Sequence, residues 1–378
     1  MNKLVLAAAL AALGLPAHAD SVEDRLATLE ARLAQMEKRL LDQNRALSAK
    51  DARIAELEHR QADAAAPVAT GGSGGWLDRI EVGGLVQIDA NHVSPAQGDD
   101  TSDITAHKLE LELGARVNDW VGAQMLVKYE EDSDNDGEVE IETLRLVVAD
   151  PEAPWFVNAG QFVLPFGSYA SYQLSDPITK ELGETLDSAI EAGVAAGGFS
   201  ASVYAFQGDR QDTVSNLGVS AGFEQDFEGG RLVAGLGYIN DLAETNAIVD
   251  GGWVAGSDDK VGGWTASAQL DLGAFHLIAE YLAAMDEFDS AGGDRPRVYN
   301  LEAAYDFAAL GRPAYLALGA QGARDAEDAH WALPETRLLG TVAVEVVQDT
   351  WLGLEYKRDK DFAGERESTL TGRLSVAF

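Results

Sequence analysis

The sequence predicts an all-β membrane protein: an antiparallel transmembrane barrel of about sixteen strands, preceded by a signal peptide and an α-helical coiled coil. Three observations carry that expectation. A short apolar leader opens the chain, a strict heptad follows, and period-two alternation fills the rest up to a terminal phenylalanine.

The leader, MNKLVLAAALAALGLPAHA, has one lysine (Lys3), an apolar run from Leu4 to Leu15 and the small-residue site Ala17-His18-Ala19. That three-part form marks residues 1–19 as an export signal cleaved after Ala19. The apolar run is too short to span a bilayer, which takes about 20 residues. There is no cysteine, so the exported chain relies on packing and backbone pairing rather than disulfides.

Residues 20–60 read as a periplasmic coiled-coil helix. Leu26, Leu33, Leu40, Leu47 and Ile54 form one seam, and Val22, Leu29, Met36, Gln43, Lys50 and Leu57 form the other. A sustained 4-3 spacing of apolar residues among charged ones is the coiled-coil pattern. Leu at both seams favours a trimer, while Gln43 and Lys50 weaken the coil locally and fix its register. The small residues of "QADAAAPVATGGSGG" (61–75) make a flexible linker, and residues 76–378 form the barrel domain.

In "DRIEVGGLVQIDAN", Ile80, Val82, Val86, Ile88 and Ala90 face one way and Glu81, Gln87, Asp89 and Asn91 the other. The same rhythm runs through "HKLELELGARVNDW" and "WTASAQLDLGAFHLIAEYLAAM". Short turns at Asn118-Asp119, Gly197-Gly198, Glu228–Gly230, Gly273-Ala274 and Gln348–Thr350 swap with longer acidic or Gly-rich connections at 92–104, 130–138, 207–215, 241–262, 286–296, 325–335 and 360–367. That is the pattern of an outer-membrane barrel, with an apolar face toward lipid framed by aromatic girdles. Trp120, Tyr129, Trp264, Tyr281, Tyr299, Trp351 and Tyr356 are read as those girdles, and Phe378 closes an alternating last strand.

Parity assigns the lumen to Glu81, Asp89, Lys108, Glu110, Glu112, Arg116, Gln124, Lys128, Glu280, Glu302, Arg337, Glu345, Glu355, Lys357 and Arg373. The formal charge is −35, from 28 Lys+Arg against 63 Asp+Glu. Residues 1–75 hold 9 basic and 10 acidic side chains, which leaves 19 and 53 to the barrel. Such acidity excludes a nucleic-acid partner. It fits either a salty or alkaline exterior or a channel that attracts cations. The six histidines are scattered, and no catalytic constellation or cofactor motif emerges. In "DSDNDG", Asp132, Asp134 and Asp136 match the first half of a calcium loop, but Thr143 stands where the bidentate Glu belongs. An acidic hairpin with weak Ca²⁺ affinity is the expectation there.

The segment "GQFVLPFGSYASYQLSDPITKELGETLDSAIEAG" (160–193) breaks the alternation. It resembles the G-x-x-x-x-P-F-G … S-D-P-x-T-x-E-L-G-E-T segment of LbtU-like siderophore porins of Gram-negative bacteria. The order of signal, coiled coil, linker and barrel is similar to that family's as well. The resemblance implies an outer-membrane channel for ferric siderophore without a plug domain; related porins are trimers, which implies a homotrimer here. The acidic lumen departs from that, because polycarboxylate iron chelates are anionic. A general cation-leaning porin and an envelope tether, whose coiled coil binds a periplasmic or cell-wall partner, remain alternatives. Counting strands outward from the linker makes Trp155–Phe166 the fifth strand and the aromatic stretch after it the third external loop. By resemblance that loop folds inward, with Pro165 ending strand pairing and Phe166, Tyr169, Tyr172, Asp176 and Glu181 at the constriction; a loop that caps the barrel rim is the alternative.

Overall fold

The computed structural model describes residues 79–378 except 133–134, 253, 255–259, 290–291, 328–330 and 332. The signal peptide, the coiled coil and the linker lie outside the described residues, as do Asp134 and the side chains of Asp132 and Asp136. Sixteen strands follow one another: β1 (Ile80–Ser94), β2 (Thr101–Arg116), β3 (Val121–Asp132), β4 (Asn135–Ala149), β5 (Trp155–Val163), β6 (Leu186–Ala196), β7 (Phe199–Phe206) and β8 (Asn216–Phe227). Then come β9 (Gly230–Ile239), β10 (Gly263–Leu272), β11 (Phe275–Ala284), β12 (Arg297–Ala309), β13 (Arg312–Arg324), β14 (Thr336–Val347), β15 (Thr350–Lys360) and β16 (Arg366–Ala377). Each strand pairs antiparallel with its sequence neighbours, and β16 returns to β1 to close the barrel. Closure removes every unpaired edge, the condition for crossing lipid with strands.

The seam is finished by the C-terminus. Phe378 N donates to Gly84 O (3.0 Å) and Gly84 N to Phe378 O (2.9 Å). The Phe378 ring covers Gly84 so closely that a Cβ there would lie 2.3 Å from it. The ring is otherwise exposed on the outer surface.

Outward-facing Val82, Ile104, Leu144, Ile190, Val203, Leu236, Leu318 and Leu354 are exposed, as a lipid-facing band requires. Aromatic pairs border it at both ends. Trp120–Trp155 (5.9 Å between centroids), Phe199–Phe223 (4.7 Å) and Phe275–Tyr305 (4.7 Å) lie near the short turns, and Trp264–Tyr281 (5.2 Å) lies near the long connections. From Tyr299 to Phe307 β12 climbs roughly 26 Å at about 3.3 Å per residue. At a tilt of about 35–45° that length spans roughly 20 Å along the membrane normal, within an apolar band about 25 Å tall. Trp351 departs from the expected girdle. It pairs with Ser375 and shares parity with Glu355, so it faces the lumen, where it meets Tyr315 (5.9 Å).

The short-turn end has two connections that the sequence pattern did not mark, at 150–154 and 310–311. Leu310 and Gly311 both take positive φ (53° and 78°), the geometry of a tight hairpin turn. At the other end the expected connections are shorter than their composition suggests. β3 and β4 leave only residues 133–134 between them, and β1 and β2 leave only 95–100. Acidic strand ends beyond the membrane pair in water at no desolvation cost, so charge alone does not distinguish a hairpin from a loop. β5 ends at Val163, three residues before the expected boundary.

The main apolar core lies inside the barrel near the long-connection end. Phe162, Leu164, Phe166, Ile178, Leu182, Leu242, Ile248, Leu282, Phe288, Val298 and Trp331 form one buried cluster. It joins the β5–β6 loop to the wall and to the β9–β10, β11–β12 and β13–β14 connections. Fully burying a side chain of this size contributes about 1.5–3 kcal/mol. Two short helices sit in these loops, α1 (Ile178–Gly183) and α2 (Asn246–Asp250).

Candidate functional site

The β5–β6 loop (164–185) leaves the wall for a physical reason. Leu164 N makes the last ladder bond, to Thr185 O (2.8 Å), and Pro165 has no N–H to continue it. Phe166 N turns back to Leu164 O (2.8 Å), and the Phe166 carbonyl accepts from Thr265 Oγ1 on β10. The backbone fits there because Gly237 has no side chain; a Cβ would lie 1.9 Å from Phe166 O.

From that point the loop follows the inner wall across β10 to β16, held by carboxylates. Ser168 N and Tyr169 N donate to Glu280 (2.7 and 3.1 Å), and Thr179 Oγ1 adds a third bond (2.8 Å). Tyr172 N and Ser171 Oγ donate to Glu302 (both 2.8 Å). Leu174 N (2.6 Å) and Ser175 Oγ (2.5 Å) donate to Glu355, which also accepts from Thr341 Oγ1 (2.8 Å). A loop inside a barrel must find acceptors for its backbone N–H groups. Ionised carboxylates form the stronger, charge-assisted bonds. Two arginines complete the fastening. Arg337 bonds Asp359 (2.9 Å) and Glu181 (2.5 Å), and Arg373 grips Asp89 through two bonds of 2.7 Å while donating to Leu174 O (2.7 Å).

This corrects the expectation of a solvated lumen wall. Glu280, Glu302 and Glu355 have the expected parity but are buried beneath the loop, at 3%, 5% and 1% exposure. They act as scaffold, and so do Asp89, Glu181, Arg337 and Arg373. Phe166 is corrected too: it is a core anchor at 1% exposure rather than a channel-lining ring. Tyr169 adopts a left-handed φ of 53°, and its hydroxyl is buried beside Gly183. Tyr172 packs between His276 (5.1 Å) and Tyr315 (5.8 Å).

The opposite face of the loop carries Asp176, Lys180 and Glu184, one helical turn apart. Lys180 Nζ lies 2.8 Å from Asp176 and 3.5 Å from Glu184. Burial works against the Lys180 charge, but the two carboxylates outweigh it and hold its pKa above the usual lysine range. Burial would raise the Asp176 carboxyl, yet Lys180, Lys108 and Lys128 together hold it below its ordinary value. Burial pushes Glu184 up, with Lys180 and Lys128 opposing. Asp176 thus lies within electrostatic reach of Lys108 on β2 and Lys128 on β3.

That wall is a lattice of ion pairs. Lys128 lies 2.5 Å from Glu130 and 3.2 Å from Glu142, and Lys108 lies 3.7 Å from Glu110 and 3.8 Å from Glu130. Arg145 bonds Gln124 (2.7 Å) and sits 5.5 Å over the Phe162 ring. Glu81, Glu112 and Arg116 continue the same parity toward the short-turn end and are exposed, and Lys357 is half-buried. Sequence reasoning overlooked Arg145, Tyr315 and Lys180. The four-residue spacing of Asp176, Lys180 and Glu184 was the available signal for Lys180.

No family model matches the sequence. A UPF0422 protein of Coxiella burnetii is 25% identical over 343 residues, covering 85% of this chain and 72% of that protein. A UPF0422 protein of Legionella pneumophila (strain Paris) is 25% identical over 325 residues, and the match spans 59% of its length. Among solved structures, the outer membrane channel DcaP of Acinetobacter baumannii is similar at TM-score 0.56 and 16% identity, over 83% of this chain and all of that one. An anion-selective porin from Comamonas acidovorans gives TM-score 0.56 and 14% identity, over 79% and 99%. The chain has the fold of outer-membrane porins.

Proposed function

We propose that the protein is an outer-membrane porin: a water-filled channel for solute uptake, narrowed by its third external loop. One observation carries the reading. The loop is fastened to the inner wall by buried carboxylates, and it presents Asp176, Lys180 and Glu184 across the lumen from Lys108 and Lys128. A sixteen-stranded barrel is wide enough for an aqueous channel, and a loop seated on its inner wall narrows it.

Acids outnumber bases in the space that remains, with Glu110, Glu112, Glu130, Glu140 and Glu142 around Lys108 and Lys128. Such a lumen leans toward cations. The homotrimer belongs to the same reading; a Vibrio cholerae outer membrane protein of this fold exists in a trimer form. Ferric siderophore uptake is the finer reading. It is supported by the likeness of residues 160–193 to the LbtU-like segment, and its test is competition by a ferric siderophore for the open current.

Reversal potentials across a planar bilayer in a salt gradient test the cation preference. The wild-type channel is expected to favour K⁺ over Cl⁻. Lys180→Gln unmasks Asp176 and Glu184 and should raise that preference about two- to fivefold. Anion selectivity, or no change in the variant, contradicts the assignment.

A further inference from the structure

Among the described residues, one group of partly exposed aromatic rings stands on the lumen wall near the short-turn mouth. Tyr315 on β13 and Trp351 on β15 meet at 5.9 Å across the intervening β14, where Ala343 is small enough to let the rings touch. Tyr172 of the loop joins at 5.8 Å from Tyr315 and 5.1 Å from His276. The three rings form a ladder from the loop to the channel mouth, and each keeps part of its surface exposed.

Carboxylates outnumber basic groups around the ladder. His276 lies between Asp271 (Nδ1 to Oδ1, 2.7 Å) and Asp306 (Nε2 to Oδ2, 3.1 Å), two carboxylates for one imidazole. Both aspartates remain partly open to water, at 40% and 32% side-chain exposure. Glu345 shares the rim with Trp351 as its pairing partner. The Arg373 guanidinium on β16 is held by two bonds to Asp89. Ring faces attract cations, most strongly at Trp, and a carboxylate border adds to that attraction.

We propose that the Tyr172–Tyr315–Trp351 ladder is a stacking site for organic cations that carry a flat ring, such as aryl-ammonium compounds. The site deepens the cation-leaning channel reading and rests on it for its role in transport. A ring-bearing cation places its plane on Trp351 or Tyr315 and its charge near Asp306, so it dwells at the mouth longer than a compact cation of equal charge. A ladder that only braces the loop from below would show no such discrimination.

The test compares block of the K⁺ current by phenyltrimethylammonium and by tetramethylammonium. The aryl probe is expected to block at about tenfold lower concentration. Trp351→Leu, which keeps an apolar side chain without the π-face, should abolish that advantage at unchanged open conductance, and Trp351→Phe should retain most of it. Equal block by the two probes, or aryl block untouched in Trp351→Leu, overturns the proposal. Equilibrium binding of phenyltrimethylammonium to the detergent-solubilised chain, followed by NMR line broadening, gives a readout without current. Binding lost in Trp351→Leu and kept in Trp351→Phe supports the ladder even for a barrel that carries no current, which would overturn the channel reading alone. No aryl binding overturns the ladder.

Discussion

At the residue scale, Asp241 shows how burial sets a pH response in the long connections. It is fully buried in the β9–β10 connection, accepts from Ala243 N (3.2 Å) and lies 3.6 Å from Arg210 Nη1. Burial pushes its carboxyl up to about 6 from the ordinary 3.8, against the pull of Arg210. The folded loop therefore prefers the protonated acid, and local stability falls as pH rises from about 4 to 6. Asp241→Asn copies the protonated form. It should stabilise the loop by about 1–3 kcal/mol at pH 7.5 and change little at pH 4. Amide exchange over residues 241–250, compared between variant and wild type at each pH, measures this. Equal exchange at both pH values contradicts it.

At the scale of the element, the β5–β6 loop behaves as a fixed part of the wall. Glu302 serves Tyr172 N, Ser171 Oγ and Asn300 Nδ2. Glu302→Gln sets an amide donor among those donors, at a cost of about 1–3 kcal/mol. Because the chain has no cysteine, an Ala170→Cys background reports loop opening without interference. Thiol labelling should speed up at least about fivefold in Glu302→Gln; an unchanged rate contradicts the anchor. The loop's existence and its proline break were legible in the sequence, because Pro165 interrupts a run that otherwise alternates. Its anchoring was not. Parity tells which side of the sheet Glu355 faces, but what covers it is Leu174, 181 residues away in the chain. No local pattern encodes that contact. The same gap explains why buried scaffold acids read as a solvated field, and why Phe166 read as a channel residue.

At the scale of the whole molecule, the period-two pattern carried strand number and closure, since backbone pairing in lipid allows few alternatives. The girdles were legible except at Trp351, where an aromatic near a strand end suggested lipid although its parity matched Glu355. Connection lengths were less legible, because strand pairing continues past the membrane into acidic segments. The proposed channel is an open barrel narrowed by a loop seated on its inner wall. Single-channel conductance of the full chain, beside a variant with residues 168–181 replaced by a short Gly-Ser link, tests it most directly. The account predicts a stable open conductance for the full chain and an increase of roughly twofold or more when the loop is removed. A full chain that carries no stable current, or a loop-deleted barrel with unchanged conductance, would contradict it.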